Sequence, residues 1–246
     1  MNKFLTGILA MLCAACLLAA PVAALTWDEA KILESDASVL AALPDGPAIQ
    51  SALNAWVSYR TIRYMHPDTA QPDWLDKTVY AFDNAQAVSM ASQFSEEGWR
   101  ISDAVGTYTV KAIVSFSEAE VTLLIHEFTY MRYMENGADD FFGIGNQHCL
   151  TLQKGTAVWQ VTADAYFDTV TLQASPAFQG SGDVNLDGVV DTTDARPVLQ
   201  QAVGKTDFSL AALTVADVNQ DGRVDTTDAR LILQKAIGKI VVFPTV

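Results

Sequence analysis

Residues 183–205 read DVNLDGVVDTTDARPVLQQAVGK, and residues 217–239 read DVNQDGRVDTTDARLILQKAIGK. The two segments align without a gap, and 17 of their 23 positions are identical. Such a close internal repeat indicates one structural unit that is used twice. The C-terminal part of the chain is therefore predicted to be a small duplicated domain.

Each copy carries oxygen-bearing side chains at alternating positions around a glycine. Ca²⁺ is bound by about six to eight oxygens, and side chains on alternate loop residues can converge on one ion. Gly188 and Gly222 permit the sharp turn, and the residue after each glycine offers its backbone carbonyl. The pattern predicts two Ca²⁺ sites, held by Asp183, Asn185, Asp187, Val189, Asp191 and Asp194, and by Asp217, Asn219, Asp221, Arg223, Asp225 and Asp228.

These loops differ from an ordinary EF-hand in two respects. The last ligand is an aspartate (Asp194, Asp228) rather than a glutamate, and no long helix enters either loop, since Gly180-Ser181-Gly182 precedes the first. Both differences argue against a calcium sensor that works by opening a helix pair. An acidic turn without metal is the alternative, and it would need the same oxygen pattern to arise twice in register.

The repeated pattern resembles a type I dockerin over residues 181–240. The resemblance implies two calcium loop–helix motifs, two Ca²⁺ ions, and a cohesin module of a cellulosome scaffold as partner. Pro197 departs from the second copy, which has Leu231, and an interior proline can kink a helix. The implied cohesin contacts are Thr192, Thr193, Arg196, Gln200, Thr226, Thr227, Arg230 and Gln234.

The chain begins with a segment typical of a secretory signal peptide. Lys3 precedes an apolar run over residues 4–20, and Pro21-Val22-Ala23-Ala24 offers a cleavage site after Ala24. A membrane anchor is the alternative for this run. Once residues 1–24 are removed, Cys149 is the single cysteine that remains, so no intrachain disulfide can form. We expect a secreted, extracellular protein that is stable without a disulfide.

The net charge is negative and unevenly distributed along the chain. Residues 25–180 contain 20 acidic and 8 basic residues, and residues 181–246 contain 9 acidic and 6 basic residues. An acidic surface repels phosphates, which argues against nucleic acid and anionic membranes as partners. The charge does not identify a substrate, and polysaccharide stays open as a further ligand.

Residues 25–175 are predicted to form an α+β domain, with helices first and a curved antiparallel sheet after them. A capping-box pattern at Thr26 opens a helix to about Leu43, and two further helices end before Pro67 and near Phe94. From Trp99 onward the segments alternate like strands. The plan is similar to NTF2-like and cystatin-like domains. Residues 176–182 are predicted to be a linker, and residues 183–246 to be the dockerin.

Few residues of the α+β domain suggest catalysis. His126 lacks a second histidine four residues on, and neighbouring His148 and Cys149 point to opposite faces of a strand, so neither pattern supports a zinc or Cys–His site. His126, Tyr130, His148 and Asp164 could meet inside the sheet if the strand register allows. Otherwise they face solvent or are satisfied core groups. The tryptophans are better explained as core residues than as a sugar-stacking platform.

Two functions are open for the α+β domain. The favoured one is a non-catalytic accessory module, and the alternative is a small hydrolase acting on plant polysaccharides or their ester links. A closed apolar interior would favour the first, and convergent His, Asp or Glu in an open pocket would favour the second. The uncharged tail, residues 240–246, should be packed. We expect Phe178 to contact Phe243 and Pro244 there.

Overall fold

The computed structural model describes residues 35–135 and 138–245. The predicted signal peptide lies outside these residues. Within them, no helix combines the length and apolar character needed to cross a membrane. The elements in chain order are helices α1 (Gly46–Arg63) and α2 (Lys77–Glu96), strands β1 (Trp99–Phe116), β2 (Glu120–Glu135), β3 (Ala138–Lys154), β4 (Trp159–Asp168) and β5 (Gln173–Ala174), and helices α3 (Thr192–Ala202), α4 (Leu210–Ala216) and α5 (Thr226–Ala236).

The five strands form one open sheet in the order β1-β2-β3-β4-β5, with every neighbouring pair antiparallel. Burial alternates along β2, because successive side chains of a strand point to opposite faces. The prediction of helices followed by an antiparallel sheet is confirmed. Strands β1, β3 and β4 extend beyond the predicted segments Thr107–Phe116, Gln147–Gln153 and Ala157–Ala163. Strand β2 agrees with the predicted segment Ala119–Met134 to within one residue at each end.

Helices α1 and α2 cover one face of the sheet. Ile49, Leu53 and Trp56 lie one turn apart on α1 and are fully buried in the main core. They pack with sheet residues such as Ile125 and Leu150. The side chain of Asp76 caps α2, because it accepts a hydrogen bond from the backbone N–H of Thr78 at 2.7 Å.

The predicted first helix is wrong over the described residues before Leu43. Asp36 lies beside β1, where its N–H donates to the Tyr108 carbonyl and its own carbonyl accepts from the Val110 N–H. A short 3₁₀ helix, Ser38–Ala42, follows. The backbone groups of Asp36 are thus committed to the edge of the sheet, and they cannot also form helical hydrogen bonds.

The segment 176–182, predicted as a linker, is packed on both sides. Phe178 is buried beside Phe167 of β4 and Val215 of α4. The N–H groups of Gly180 and Gly182 donate to the carbonyls of Thr214 and Val215, both at 3.0 Å. The α+β domain and the C-terminal helices are therefore in direct contact.

Helices α3 and α5 share a small core with the C-terminal tail. Val198 and Ile232 are fully buried in it, and Ile240 and Phe243 pack at its edge. The Phe243 ring lies against Gly182, and the Lys235 ammonium is 4.3 Å from the ring centroid.

The predicted contact between Phe178 and Phe243 is wrong, because the two rings belong to different clusters. The tail does close onto the start of the domain, but it does so at Gly182. Phe178 is instead covered by the sheet.

Candidate metal and partner-binding site

The first acidic loop is closed by hydrogen bonds to its own carboxylates. Asp183 accepts from the N–H of Gly188 at 2.8 Å. Asp194, at the other end of the loop, accepts from the N–H groups of Val184 at 2.8 Å and Asp191 at 2.9 Å. These bonds bring residues that are far apart in the loop into one turn.

The second loop repeats this arrangement. Asp217 accepts from the N–H of Gly222 at 2.9 Å, and Asp228 accepts from the N–H groups of Val218 at 3.1 Å and Asp225 at 2.9 Å. The turn glycines of the two loops have φ of 87° and 84°, a region of backbone conformation that favours glycine. The sequence repeat is thus a repeat of backbone geometry as well.

Each loop leads directly into a helix through a capping box. Asp191 accepts from the Thr193 N–H and Asp225 from the Thr227 N–H, both at 2.6 Å, and Asp194 and Asp228 bond back to the two caps. Acidic groups at a helix start also interact favourably with its dipole. One oxygen of each capping aspartate is therefore already engaged.

The loop carboxylates lie close together, and Arg223 is a basic neighbour of one of them, Asp225. Burial raises the pKa of Asp183 to about 6, and the charges of Asp194 and Asp187 contribute to the rise. Burial also raises the pKa of Asp194 and Asp228. Among the described ion pairs, none joins a lysine or arginine to these loops. A cation would relieve this unfavourable clustering.

The donor chemistry of the loops fits Ca²⁺, because the available ligands are carboxylate, amide and carbonyl oxygens. Over residues 35–135 and 138–245, no group of three or more Asp, Glu, His or Cys is arranged to hold a metal ion. The side chains are hydrogen bonded to the loop backbone instead. The twelve predicted ligands therefore stay a prediction.

The predicted partner contacts lie at the starts of α3 and α5 and one to two turns on. Thr192, Thr193 and Arg196 are exposed on α3, as are Thr226 and Arg230 on α5. The other three predicted contacts, Gln200, Thr227 and Gln234, are half-buried. Both repeats thus present a similar surface.

A second polar cluster lies inside the α+β domain. Arg60 donates to Asp83 at 2.8 Å, and the Tyr166 hydroxyl donates to the same carboxylate at 2.6 Å. Arg63 lies 3.2 Å from it. Burial alone would raise the pKa of Asp83, but Arg63 and Arg60 outweigh this and hold the pKa below its ordinary value.

His148 lies between two further buried carboxylates. Its Nδ1 is 2.9 Å from Asp164 Oδ1, and its Nε2 is 3.8 Å from Glu127 Oε2. Burial would lower the pKa of His148, but Asp164 outweighs it and the pKa is raised. The strand register thus brings His148 and Asp164 together, as the sequence allowed.

The other two candidates do not join this cluster. His126 is exposed, and Tyr130 packs on Phe128. Cys149 faces away from His148, and burial raises the pKa of its thiol to about 11. A thiol with a raised pKa is a poor nucleophile at neutral pH.

The polar cluster is shielded from solvent. A cavity of about 70 Å³ between α2 and β4 is lined partly by Asp83, Asp164 and Tyr166. The second oxygens of the two aspartates have no hydrogen-bond partner and are inaccessible. The domain therefore contains a buried polar cluster beside an apolar core, which neither of the two expected outcomes described.

Sequence analysis missed Arg60, Arg63, Asp83 and Glu127 as members of this cluster. The sequence does contain an indication that Arg60 faces inward. Arg60 lies four residues after Trp56, and residues at this spacing share a helix face. Glu127 likewise occupies an inward position between Ile125 and Thr129 on β2.

Comparison with known proteins adds a family for the C-terminal domain. Residues 181–237 match the family model described as "Dockerin type I domain". No curated protein matches the chain. A solved structure, "Crystal structure of intermembrane space region of chloroplast protein ARC6", is 12% identical with a TM-score of 0.33, and the match covers 56% of this chain and 100% of that one. A TM-score this low does not establish that the two proteins share a fold.

A dockerin implies a cohesin partner in a cellulosome-type complex, and type I dockerins typically bind calcium. The duplicated loop–helix geometry agrees with this match. Residues 181–237 of the chain are therefore a type I dockerin domain.

Proposed function

We propose that the chain is a secreted protein that docks an α+β module onto a cohesin-bearing scaffold. In this proposal residues 1–24 are the signal peptide, 25–175 the module, 176–182 the connecting segment and 183–246 the dockerin. The observation that carries it is the duplicated acidic loop, which leads in each copy to an exposed helix start.

We infer that the dockerin holds two Ca²⁺ ions, one in each loop. Bound Ca²⁺ supplies the positive charge that the loops lack. The loop residues would then fix the starts of α3 and α5, since Asp194 and Asp228 belong to both the loop and the helix. Calcium binding and folding of the dockerin are thus expected to be linked.

The cohesin-binding surface in this proposal is the exposed start of each helix. Thr192 and Thr193, or Thr226 and Thr227, would supply short hydroxyl side chains that allow close approach. Arg196 and Arg230 lie one turn further along and are exposed, so they would pair with acidic groups of the partner. Because the two copies are so similar, either could take up one cohesin.

We propose that the module is non-catalytic. Three of its buried carboxylates, Asp83, Glu127 and Asp164, are paired with Arg60, Arg63 or His148, and their free oxygens are shielded. A general acid or nucleophile must reach its substrate within hydrogen-bond distance, and these groups have no such access. Cys149 is kept protonated, because burial raises the pKa of its thiol.

A hydrolase is the second candidate, and one observation favours it. The His148–Asp164 pair, with Nδ1 and Oδ1 2.9 Å apart, lies near the cavity between α2 and β4. A histidine held by a carboxylate is a common general base. The module would then act on plant polysaccharides or their ester links.

The docking proposal is tested by binding of the full chain to immobilised cohesin modules, with calcium or with EDTA. Glutamate at both threonine pairs (T192E, T193E, T226E and T227E) should abolish binding, because buried charges would lack partners. Either pair alone should weaken binding less. T156E, at an exposed turn of the module, is the matched charge control. Binding that is indifferent to calcium and to all four changes contradicts the proposal.

The hydrolase alternative is tested by incubating the full chain with acetylated and feruloylated plant polysaccharides and measuring released sugars and acids. The non-catalytic proposal predicts no release above background. Release that disappears in H148Q while the variant stays folded would establish the alternative.

A further inference from the structure

The first acidic loop lies against the face of the sheet that α1 and α2 leave uncovered. On β3, Asn146, His148 and Leu150 are buried towards the helices, and His148 contacts Trp56 of α1. Gln147 and Cys149 alternate with them and point to the opposite face. The dockerin meets the module on that opposite face.

The contact is made by the tip of the loop. Gln147 Nε2 donates a hydrogen bond to the backbone carbonyl of Leu186 at 2.6 Å. Gly188 lies so close to the sheet that an added Cβ would be 2.6 Å from Val114 Cγ2 and 3.4 Å from Cys149 Sγ. A side chain at this glycine would clash with the sheet as well as strain the backbone.

Leu186 shows that the loop is adapted to this contact. Its φ is 60°, which is a left-handed conformation that a bulky side chain seldom adopts. The side chain packs in the cluster that contains Phe178 and Val215, at the junction of the two domains. Packing at the junction accounts for a leucine at this strained position.

At the equivalent positions the second loop does not touch the sheet, and it lies beside Gly180 of the connecting segment instead. The position equivalent to Leu186 is Gln220, with a φ of 58°, and it is exposed. A Cβ added at Gly222 would meet nothing within 4 Å, whereas Gly188 touches the sheet. The two loops share their internal geometry and differ in what surrounds them.

We propose that the α+β module is a clamp for the first calcium loop, with Gln147 as the positioning residue. The contact with the sheet stabilises the closed conformation of the turn from Leu186 to Gly188 over its open conformation. The first site therefore binds Ca²⁺ with help from the module, and the second site does not. The inference rests on the proposed calcium binding and goes beyond it.

The physical basis is preorganisation. Holding a loop in its bound conformation removes part of the ordering cost of binding, so affinity rises. Linkage is reciprocal, so Ca²⁺ in the first loop must also strengthen the contact between dockerin and module. Ca²⁺ in the second loop should leave that contact unchanged.

Calcium titration of the full chain by isothermal calorimetry tests the clamp when the sites are separated. D221A disables the second loop and D187A the first. In the D221A background, Q147A should weaken the remaining site by roughly three- to tenfold, the worth of one hydrogen bond. In the D187A background, Q147A should leave the affinity unchanged.

Q153A is the matched control for Q147A. Gln153 lies on the same strand and face, and it donates to Glu120 rather than to the dockerin. Q153A should leave both sites unchanged. Equal weakening by Q147A in the two backgrounds, or none in either, overturns the clamp. Absence of calcium binding in the unsubstituted chain would instead refute the proposed calcium function.

Alkylation of Cys149 tests the clamp with less dependence on how variants fold. Gly188 covers this thiol, so opening of the first loop should expose it. Mass spectrometry should show that EDTA raises the rate of alkylation at Cys149 by at least about tenfold. D187A should raise the rate even in calcium, and D221A should not. Equal rates with calcium and EDTA, or equal effects of the two variants, overturn the proposal.

Discussion

Buried carboxylates of the α+β module lie beside arginines of the same chain, whereas those of the dockerin loops lie beside one another. Asp83 is held by Arg60 and Arg63, but Asp183 has only Asp187 and Asp194 nearby. The first arrangement is neutralised by charges of the same domain, and a cation would neutralise the second. In the proposed function, one chain therefore combines a domain that folds without calcium with a domain whose folding depends on it.

Removing calcium should have the largest effect and should affect one domain alone. EDTA should abolish the helicity of the dockerin, because its small core cannot offset the repulsion among the loop carboxylates. D187A with D221A should mimic EDTA. Far-UV circular dichroism follows the helices, and tryptophan fluorescence follows the module, since all five tryptophans precede residue 160.

Two results would contradict these expectations. Unchanged dichroism after chelation would contradict calcium-dependent folding of the dockerin. A shift of tryptophan fluorescence to that of the unfolded chain would contradict the independence of the module.

Breaking the internal neutralisation should destabilise the module strongly. R60M leaves Asp83 and Glu127 buried with one cation fewer, which should cost about 3–5 kcal/mol of unfolding free energy. Urea unfolding, followed by tryptophan fluorescence, measures this loss of unfolding free energy with and without calcium.

R100M, at an exposed arginine, is the control. It should change the free energy by no more than about 0.5 kcal/mol, as is usual for surface substitutions. Similar midpoints for R60M and R100M would refute the structural role of the cluster.

The tail contact should contribute less, and to the dockerin only. F243A removes the ring that lies on Gly182 and beneath the Lys235 ammonium, so the dockerin should lose about 1–3 kcal/mol. The melting temperature in saturating calcium measures the loss. V242A is the control, because Val242 is 77% exposed. A melting temperature of F243A equal to that of V242A would contradict the contact.

The smallest effect expected is a pH dependence of the module. The pKa of His148 is raised in the folded state, because Asp164 outweighs the effect of burial. Protonated His148 therefore stabilises the fold fully below its ordinary pKa of 6.5, and this contribution is lost as the pH rises through the folded pKa. Urea midpoints should fall with rising pH in the unsubstituted chain and less so in H148Q. Parallel curves would refute this role.

The sequence predicted the dockerin better than the module, and the reason is physical. Calcium loops depend on local spacing, so Asp183 to Asp194 can be read from neighbouring residues alone. The buried cluster joins Arg60 of α1, Asp83 of α2 and His148 of β3, and no local pattern specifies which distant charges will meet.

The same distinction explains the misplaced tail contact. The absence of charge in the tail predicted packing, and Ile240 and Phe243 are packed whereas Val241 and Val242 are exposed. Which partner the packed residues have depends on how the two domains are arranged. Phe178 packs against Phe167 of the sheet, and Phe243 contacts Gly182 instead. A sequence can show that a residue needs a partner without showing which one it has.

Phe178 packs between the sheet and α4, and in the proposed function this contact would set the direction in which the module projects from a scaffold. A flexible tether would let the cargo swing freely and average over all orientations. Here the backbone hydrogen bonds from Gly180 and Gly182 to Thr214 and Val215 leave almost no flexible tether between the module and the dockerin. Engagement through α3 or through α5 would therefore aim the module along two different directions, so the choice of helix would select the orientation of the cargo.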